Sequence, residues 1–228
     1  MFFIGLDDTD TLDSRGTGHL ARQIAAEQAA DYPLLGVTRH QLLVDPRVPC
    51  TKNNSSAALA LDVNGDVDPR LLLERVRDMM LADFQPGSDP GLCVARVVPH
   101  VVTEFGHRAQ QELVTAGEAQ GLAAACGLHL VALGGDGSGV IGALAAVGLA
   151  ATGHDGRYVL VGRSRELTGL QPVSALLAAG IAAVQTADGT RVQDGLVQTD
   201  KLRPARRGGR PVAVVEWTGD YWLPLKLD

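Results

Sequence analysis

Four aspartates, Asp7, Asp8, Asp10 and Asp13, follow directly on the apolar run Phe2-Phe-Ile-Gly-Leu6. Carboxylates that dense repel one another, and at the tip of a strand a divalent cation makes them tolerable, because hard cations take oxygen ligands and Mg²⁺ commonly combines one or two carboxylates with phosphate. The competing reading is a solvated acidic turn, since Asp and Thr are good turn and helix-cap residues. Two known signatures fail here. An EF-hand beginning at Asp8 needs an acidic or Asn ligand where Leu12 stands, and a strand-tip Asp-x-Asp-x-Thr of the phosphatase type meets the same Leu12. What survives is simpler: a strand delivers carboxylates to the N-terminal end of a helix, where backbone N–H groups can hold an anion. Thr17, at that terminus, is placed either to cap the helix or to meet a phosphate.

Three further constellations carry possible chemistry. Gly137-Ser138-Gly139-Val-Ile-Gly142 satisfies G-x-G-x-x-G between an expected strand and an expected helix, so the backbone can approach a phosphate there. The same spacing of small residues, continued by Ala143 and Ala146, equally lets a helix sit close on a sheet. A dinucleotide fold would want an acidic residue at the end of the next strand, where Arg163 stands. Thr51-Lys-Asn53-Asn54-Ser-Ser56 is an amide- and hydroxyl-rich loop, with Arg39, His40, Arg47 and Lys52 nearby, that either orients a base or phosphate or is an ordinary connection. Lys201, Arg203, Arg206, Arg207 and Arg210 concentrate positive charge that can neutralise nucleic-acid phosphates or simply be solvated. The histidines show no metal-binding spacing.

The elements that must position these residues follow from periodicity. Met1 to Leu6 reads as a buried strand and Thr17 to Ala30 as a helix with Leu20 and Ile24 on one face, Thr17 or Ser14 serving as its cap. Leu34 to Val44 and Ala57 to Val63 read as an antiparallel pair. Asp68-Pro69 opens a helix to about Phe84, and Gly91 to Val98 closes as a strand. Strand, helix, strand, strand, helix, strand is the ferredoxin-like order. Beyond it, Pro99 to Cys126 is helical with a break near Thr115 to Gly117. Leu128 to Leu133, the glycine-rich turn, Val140 to Ala150 and Tyr158 to Gly162 form a second βαβ-like unit. A short helix over Val173 to Ile181 and a turn at Thr186 to Thr190 come next, and Pro211 to Trp217 with Tyr221 to Leu227 forms a terminal β-hairpin. The fold class is α+β, with a ferredoxin-like half over 1–98 and an α/β half over 99–228.

With 228 residues the chain can bury a core without staples, and its three cysteines, Cys50, Cys93 and Cys126, form no CxxC pair. That usage points to a reducing cytoplasm. The N-terminal apolar run is too short for a signal peptide or a membrane span, and a net charge of -6 argues against non-specific DNA coating.

Three of these pieces occur together in one family. Gly5-Leu-Asp-Asp-Thr-Asp10, the segment from Val48-Pro49 through Asn53 to Ala57, and Gly137-Ser-Gly-Val-Ile-Gly-Ala-Leu-Ala-Ala146 resemble the archaeal tRNA(Ile) agmatinylcytidine synthetases, where they read roughly GIDDTD, IPWKTRGNGA and GRGLIGALAA. The resemblance is fairly specific for residues 1 to about 165 and fades after that. It implies a catalytic core of a kinase-like and a ferredoxin-like domain, so that the 99–228 half is expected to be kinase-like. It also implies ATP and Mg²⁺ as cofactors, phosphorylation of a cytosine oxygen, and displacement of the phosphate by the amine agmatine. Asp7, Asp8 and Asp10 would then be the metal-facing groups. Thr17 falls on the family's phosphate-accepting threonine, although Gly16-Thr-Gly18-His19 stands where the family has a Cys-Thr-Thr-Tyr pattern. Gly137, Ser138, Gly139, Gly142, Asn53 and Asn54 are the expected nucleotide-binding residues. The family's OB-fold and zinc ribbon, which hold tRNA, are not expected in this chain. The leading expectation is therefore an ATP- and Mg²⁺-dependent phosphotransferase or synthetase acting on a nucleobase or small-molecule acceptor. A non-enzymatic nucleotide- or RNA-binding module is the alternative, and an NADP-linked protein a third.

Overall fold

In the computed structural model, which describes residues 1–48, 50–51 and 53–227, the strand β1 (Phe2–Asp7) is the spine. Pro49 and Lys52, part of the motif and loop singled out above, lie outside the described residues. Side chains alternate across β1. Phe2, Ile4 and Leu6 enter one core and Phe3 the opposite one. α1 (Thr17–Gln28) lays Leu20, Ala21, Ile24 and Ala25 on the first core. β2 (Leu34–Gln41) and β3 (Ser55–Leu61) pair antiparallel, with β2 ending three residues short of the expected Val44. α2 (Pro69–Ala82) starts as its sequence requires, with Asp68 accepting the N–H of Arg70 at 2.9 Å and Pro69 at the first helical position. It buries Leu72, Val76 and Met80, and β4 (Gly91–Ala95) follows. The strands lie in the order β4-β1-β3-β2, each antiparallel to its neighbour.

The sheet does not stop at residue 98. α3 (His100–Gln111) and α4 (Ala116–Ala125) are separated where expected, because Thr115 and Glu118 form a reciprocal capping box that starts a new helix. β5 (His129–Ala132) adds to β4. α5 (Val140–Thr152), almost wholly buried, then crosses the sheet face opposite α1 and α2, and β6 (Arg157–Leu160) pairs with β2. The expected βαβ-like unit is thus not one: β5 and β6 sit on opposite flanks of the four central strands and run antiparallel to each other. A helix made of small residues can lie flat across several strands, and Gly5 of β1 gives α5 that room, since a Cβ there would overlap the carbonyl of Ala143. Leu144, Val147 and Leu149 of α5 are fully buried, Val147 beside Gly5 and Leu149 against Gly106 of α3, each contributing about 1.5–3 kcal/mol.

The remaining chain extends the sheet through β7 (Leu170–Pro172), α6 (Val173–Ala178), β8 (Ala183–Gln185), β9 (Leu196–Gln198), β10 (Ala205–Arg207), β11 (Arg210–Trp217) and β12 (Trp222–Pro224). The terminal hairpin forms as expected, with Trp217 opposite Trp222. Cys50, Cys93 and Cys126 are all unbridged, and burial pushes the Cys93 thiol up to about 12, so it is packing material. No helix among the described residues is long and apolar enough to cross a membrane.

Candidate active site

A cleft of about 230 Å³ opens where β1 ends. Its walls come from that strand end, the start of α1, the β2–β3 connection, the end of α3 and the turn entering α5. Asp7, Asp8, Asp10, Thr17, Asn53, Asn54, Ser138, Gly139 and Gly142 all line it. Gly137, expected with them, is not among the lining residues.

Thr17 is not the cap of α1. Gly16 holds the cap position and has no side chain to offer, so the carboxylate of Asp10 does the work from seven residues upstream. Its Oδ1 accepts the Thr17 N–H at 3.2 Å and the Thr17 hydroxyl at 2.8 Å. The Thr9 hydroxyl donates to Thr17 Oγ1 at 3.1 Å, and Thr51 donates to Asp10 Oδ2 at 3.0 Å. Asp10 therefore ties the first helix turn to the β2–β3 connection. In that connection Asn54 is structural as well as lining, donating to the carbonyl of Leu43 at 2.8 Å, whereas Asn53 is exposed to the cleft.

The other two aspartates face the opposite wall. Burial first, then the charge of Asp8, pushes Asp7 up to about 7. Asp8 is raised to about 6 by burial and by the charges of Asp89, Asp10 and Asp136. Asp8 also holds a left-handed backbone, φ 49°, a conformation that costs a non-glycine residue on the order of 1 kcal/mol and tends to occur where function requires it. Among the described residues no three His, Cys, Asp or Glu side chains converge as a ready metal cage. A pair of carboxylates that form no ion pair among the described residues nevertheless fits Mg²⁺, which takes one or two carboxylates and completes its shell with water and phosphate.

The glycine-rich turn has a packing role that its motif does not announce. A Cβ at Gly142 would overlap Oδ2 of Asp7, and one at Gly139 would overlap the carbonyl of Asp89. The small residues thus let α5 close down on the carboxylate end of β1. Within the turn, Asp89 accepts the N–H of Asp136 at 2.6 Å and Asp136 accepts the N–H of Ser138 at 2.8 Å. Those two donors already hold carboxylates, so a phosphate at this turn would meet acidic neighbours unless a cation accompanied it.

The end of α3 and the segment after it escape the sequence reading, Ala109, Glu112, Leu113 and Val114 lining the cleft, and so does Asp89, which holds the turn. Asp89-Pro90 before a strand is a turn signal that could have flagged the last of these. The expected basic constellation is dispersed: Arg206 is buried, donating to the Tyr158 hydroxyl at 3.1 Å with its guanidinium 5.8 Å from that ring, and Arg207 donates to the carbonyl of His154. A strand places Arg206 and Arg207 on opposite faces, which the charge run could not show. His40 is fully buried, its Nδ1 2.6 Å from Asp155 and its Nε2 2.8 Å from Thr38 Oγ1. It lines no part of the cleft.

No family model matches the chain. It is 28% identical over 158 residues to TiaS of Pyrococcus horikoshii, a 2-agmatinylcytidine synthetase of an isoleucine tRNA, which is 65% of this chain and 35% of the relative. The chain thus spans about a third of that relative's length. Among solved structures, the complex of TiaS with its isoleucine tRNA and ATP superposes with a TM-score of 0.56 at 22% identity, over 64% of this chain and 36% of that one. Apo TiaS superposes with a TM-score of 0.54 at 21% identity, over 64% and 35%. The resemblance read from the three motifs therefore holds, and the mixed α+β fold is shared over that region.

Proposed function

We propose that this chain, similar over 158 residues to a 2-agmatinylcytidine synthetase of an isoleucine tRNA, is an ATP-dependent enzyme that transfers phosphoryl to a nucleobase oxygen. The observation that carries this reading is the meeting, in one cleft, of the Asp7-Asp8-Asp10 loop, Thr17 and the Ser138 to Gly142 turn. Phosphoryl transfer depends on positioning and charge neutralisation more than on covalent chemistry; these residues would supply the positioning, and a cation on the carboxylates the neutralisation. Asp7 and Asp8 would hold Mg²⁺, which when bound would neutralise phosphate charge, whereas Asp10, expected with them, has both oxygens engaged by Thr17 and Thr51 and would act on Thr17 rather than on the metal. Should Thr17 take a phosphoryl group from ATP besides the one that goes to the base, Asp10 Oδ1, 2.8 Å from the hydroxyl, is placed to receive its proton as the Oγ1–P bond forms and the P–O bond to the departing nucleotide breaks. Ser138, Gly139, Gly142, Asn53 and Asn54 would line the nucleotide, while Gly137 would shape the turn. The strand order β4-β1-β3-β2 supports a ferredoxin-like reading of residues 1–98, with 99–228 as the kinase-like α/β half that completes the cleft. A small amine is the corresponding second substrate. It would form a carbon–nitrogen bond as the phosphorylated oxygen leaves with phosphate.

The test is turnover. Wild-type protein with ATP, Mg²⁺, agmatine and an isoleucine-tRNA transcript should release ADP or AMP, and Asp8→Asn should lower that rate at least about a hundredfold. Absence of release with every acceptor tried, or unchanged release in the variant, contradicts the reading.

A further inference from the structure

Asp8 is held in a conformation that it would not adopt unaided. Among the described residues only Asp8 and Lys201 have a left-handed backbone without being glycine, and Lys201 stands in an exposed turn. Asp8 lines the cleft together with Asp7 and Asp10, so its carboxylate meets like charge as well as backbone strain. Two such costs on one residue require a restraint close by.

The residues on either side of Asp8 supply it. Asp7 is the last rung of β1, paired with Gly91 of β4. Thr9 is buried, and both of its donors converge on one atom: its hydroxyl lies 3.1 Å and its N–H 3.4 Å from Thr17 Oγ1. A hydroxyl oxygen has two lone pairs, and Thr9 takes both. Thr17 gives its own hydroxyl proton and its N–H to Oδ1 of Asp10. Thr17 is in turn a fixed post, because α1 buries Leu20, Ala21, Ile24 and Ala25 in the core. Asp8 is thus the single residue between a strand rung and a clasp on a helix, and its left-handed turn is what joins them.

Satisfying the buried hydroxyl of Thr9 needs only one hydrogen bond. Two bonds from the backbone and the side chain of one residue to the same oxygen fix an angle as well as a distance, which is what a neighbouring strained residue requires. We infer that Thr9 is a positioning residue of the site: its clasp on Thr17 presets Asp8 in the left-handed turn that presents the carboxylate to the cleft, where a Mg²⁺-nucleotide meets a ligand already in place. This rests on the proposed reading of Asp8 as a Mg²⁺ ligand and names what holds that ligand ready. Without the clasp the turn relaxes, and a site that is competent only part of the time binds more weakly in proportion.

The test is a double-mutant cycle on the full chain, read as Mg²⁺-ATP affinity by isothermal titration. Thr9→Val keeps the volume, loses the hydroxyl and should bind about tenfold more weakly, whereas Thr9→Ser, which keeps the hydroxyl, should bind like wild type. Because Thr9 acts through Asp8, Thr9→Val/Asp8→Asn should bind no more weakly than Asp8→Asn alone. A merely structural Thr9 would make the two losses multiply, and that result overturns the proposal, as does wild-type affinity in Thr9→Val. Circular dichroism and melting temperature establish that each variant is folded at the titration temperature; if Thr9→Val is not, Thr9→Ala carries the same expectations. A wild-type chain that binds no Mg²⁺-ATP, or an Asp8→Asn variant that binds as wild type does, removes the reading of Asp8 as a metal ligand, and the role of Thr9 falls with it.

Discussion

The carboxylate of Asp7 occupies the space that a side chain at Gly142 would need. Two motifs more than 130 residues apart in the sequence are therefore halves of one contact. Gly142→Ala should force apart β1 and α5, destabilising the fold by about 1–3 kcal/mol as for other overpacked sites. Urea unfolding measures that, and a loss of Mg²⁺-ATP affinity should accompany it because Asp7 must move. An Ala variant as stable as wild type would show that the strand end has room to spare.

Asp10 serves α1 as a cap from outside the helix and serves Thr17 as a hydrogen-bond acceptor. Asp10→Ala should cost about 1 kcal/mol of stability through the lost cap and abolish turnover. Thr17→Val removes the hydroxyl and strands Thr9 and Asp10, so turnover should fall and stability drop by about 1–3 kcal/mol, while Thr17→Ser, which keeps the hydroxyl, should retain most of both. Thr17→Val with full activity would remove Thr17 from the mechanism.

Asp7 sets a pH dependence with a definite sign. Its folded value of about 7 lies above the ordinary 3.8, so the folded protein binds more protons between those values. The group therefore stabilises at acid pH and that stability, on the order of a few kcal/mol, is lost as pH rises through 7. In EDTA the melting temperature should fall from pH 5 to pH 8, and Mg²⁺ should recover most of the loss at pH 8. Asp7→Asn should flatten the profile.

His40 gives the opposite slope. Burial holds it below its ordinary 6.5, so its contribution is present above that pH and lost as pH falls below it. Burial works against the charge of Asp155, but hydrogen bonds from His40 and Gln110 outweigh it and hold that carboxyl low. Asp155→Ala strands the buried imidazole N–H and should destabilise by about 1–3 kcal/mol at pH 7.5 without altering ATP affinity.

Much of this was legible in the chain. The apolar run before Asp7, the Asp68-Pro69 cap and the Thr115 break are local signals, and each element forms within a few residues of where its signal lies. The motif residues also meet, because a strand end and two helix starts are where irregular backbone gathers. What could not be read is non-local. Nothing near β5 or β6 says that they flank the central strands on opposite sides. Gly142 looks like a phosphate motif until Asp7 is seen above it. The run at 201–210 looks like a patch, yet Arg206 and Arg207 fall on opposite faces of β10.

The central claim is that the Asp7–Asp8 end of β1 holds Mg²⁺-ATP. Isothermal titration of the wild-type chain with ATP, with and without Mg²⁺, tests it most directly when run beside Asp8→Asn. The account predicts saturable one-to-one binding that requires Mg²⁺ and weakens at least about tenfold in the variant. Equal binding by both proteins, or binding indifferent to Mg²⁺, would contradict it.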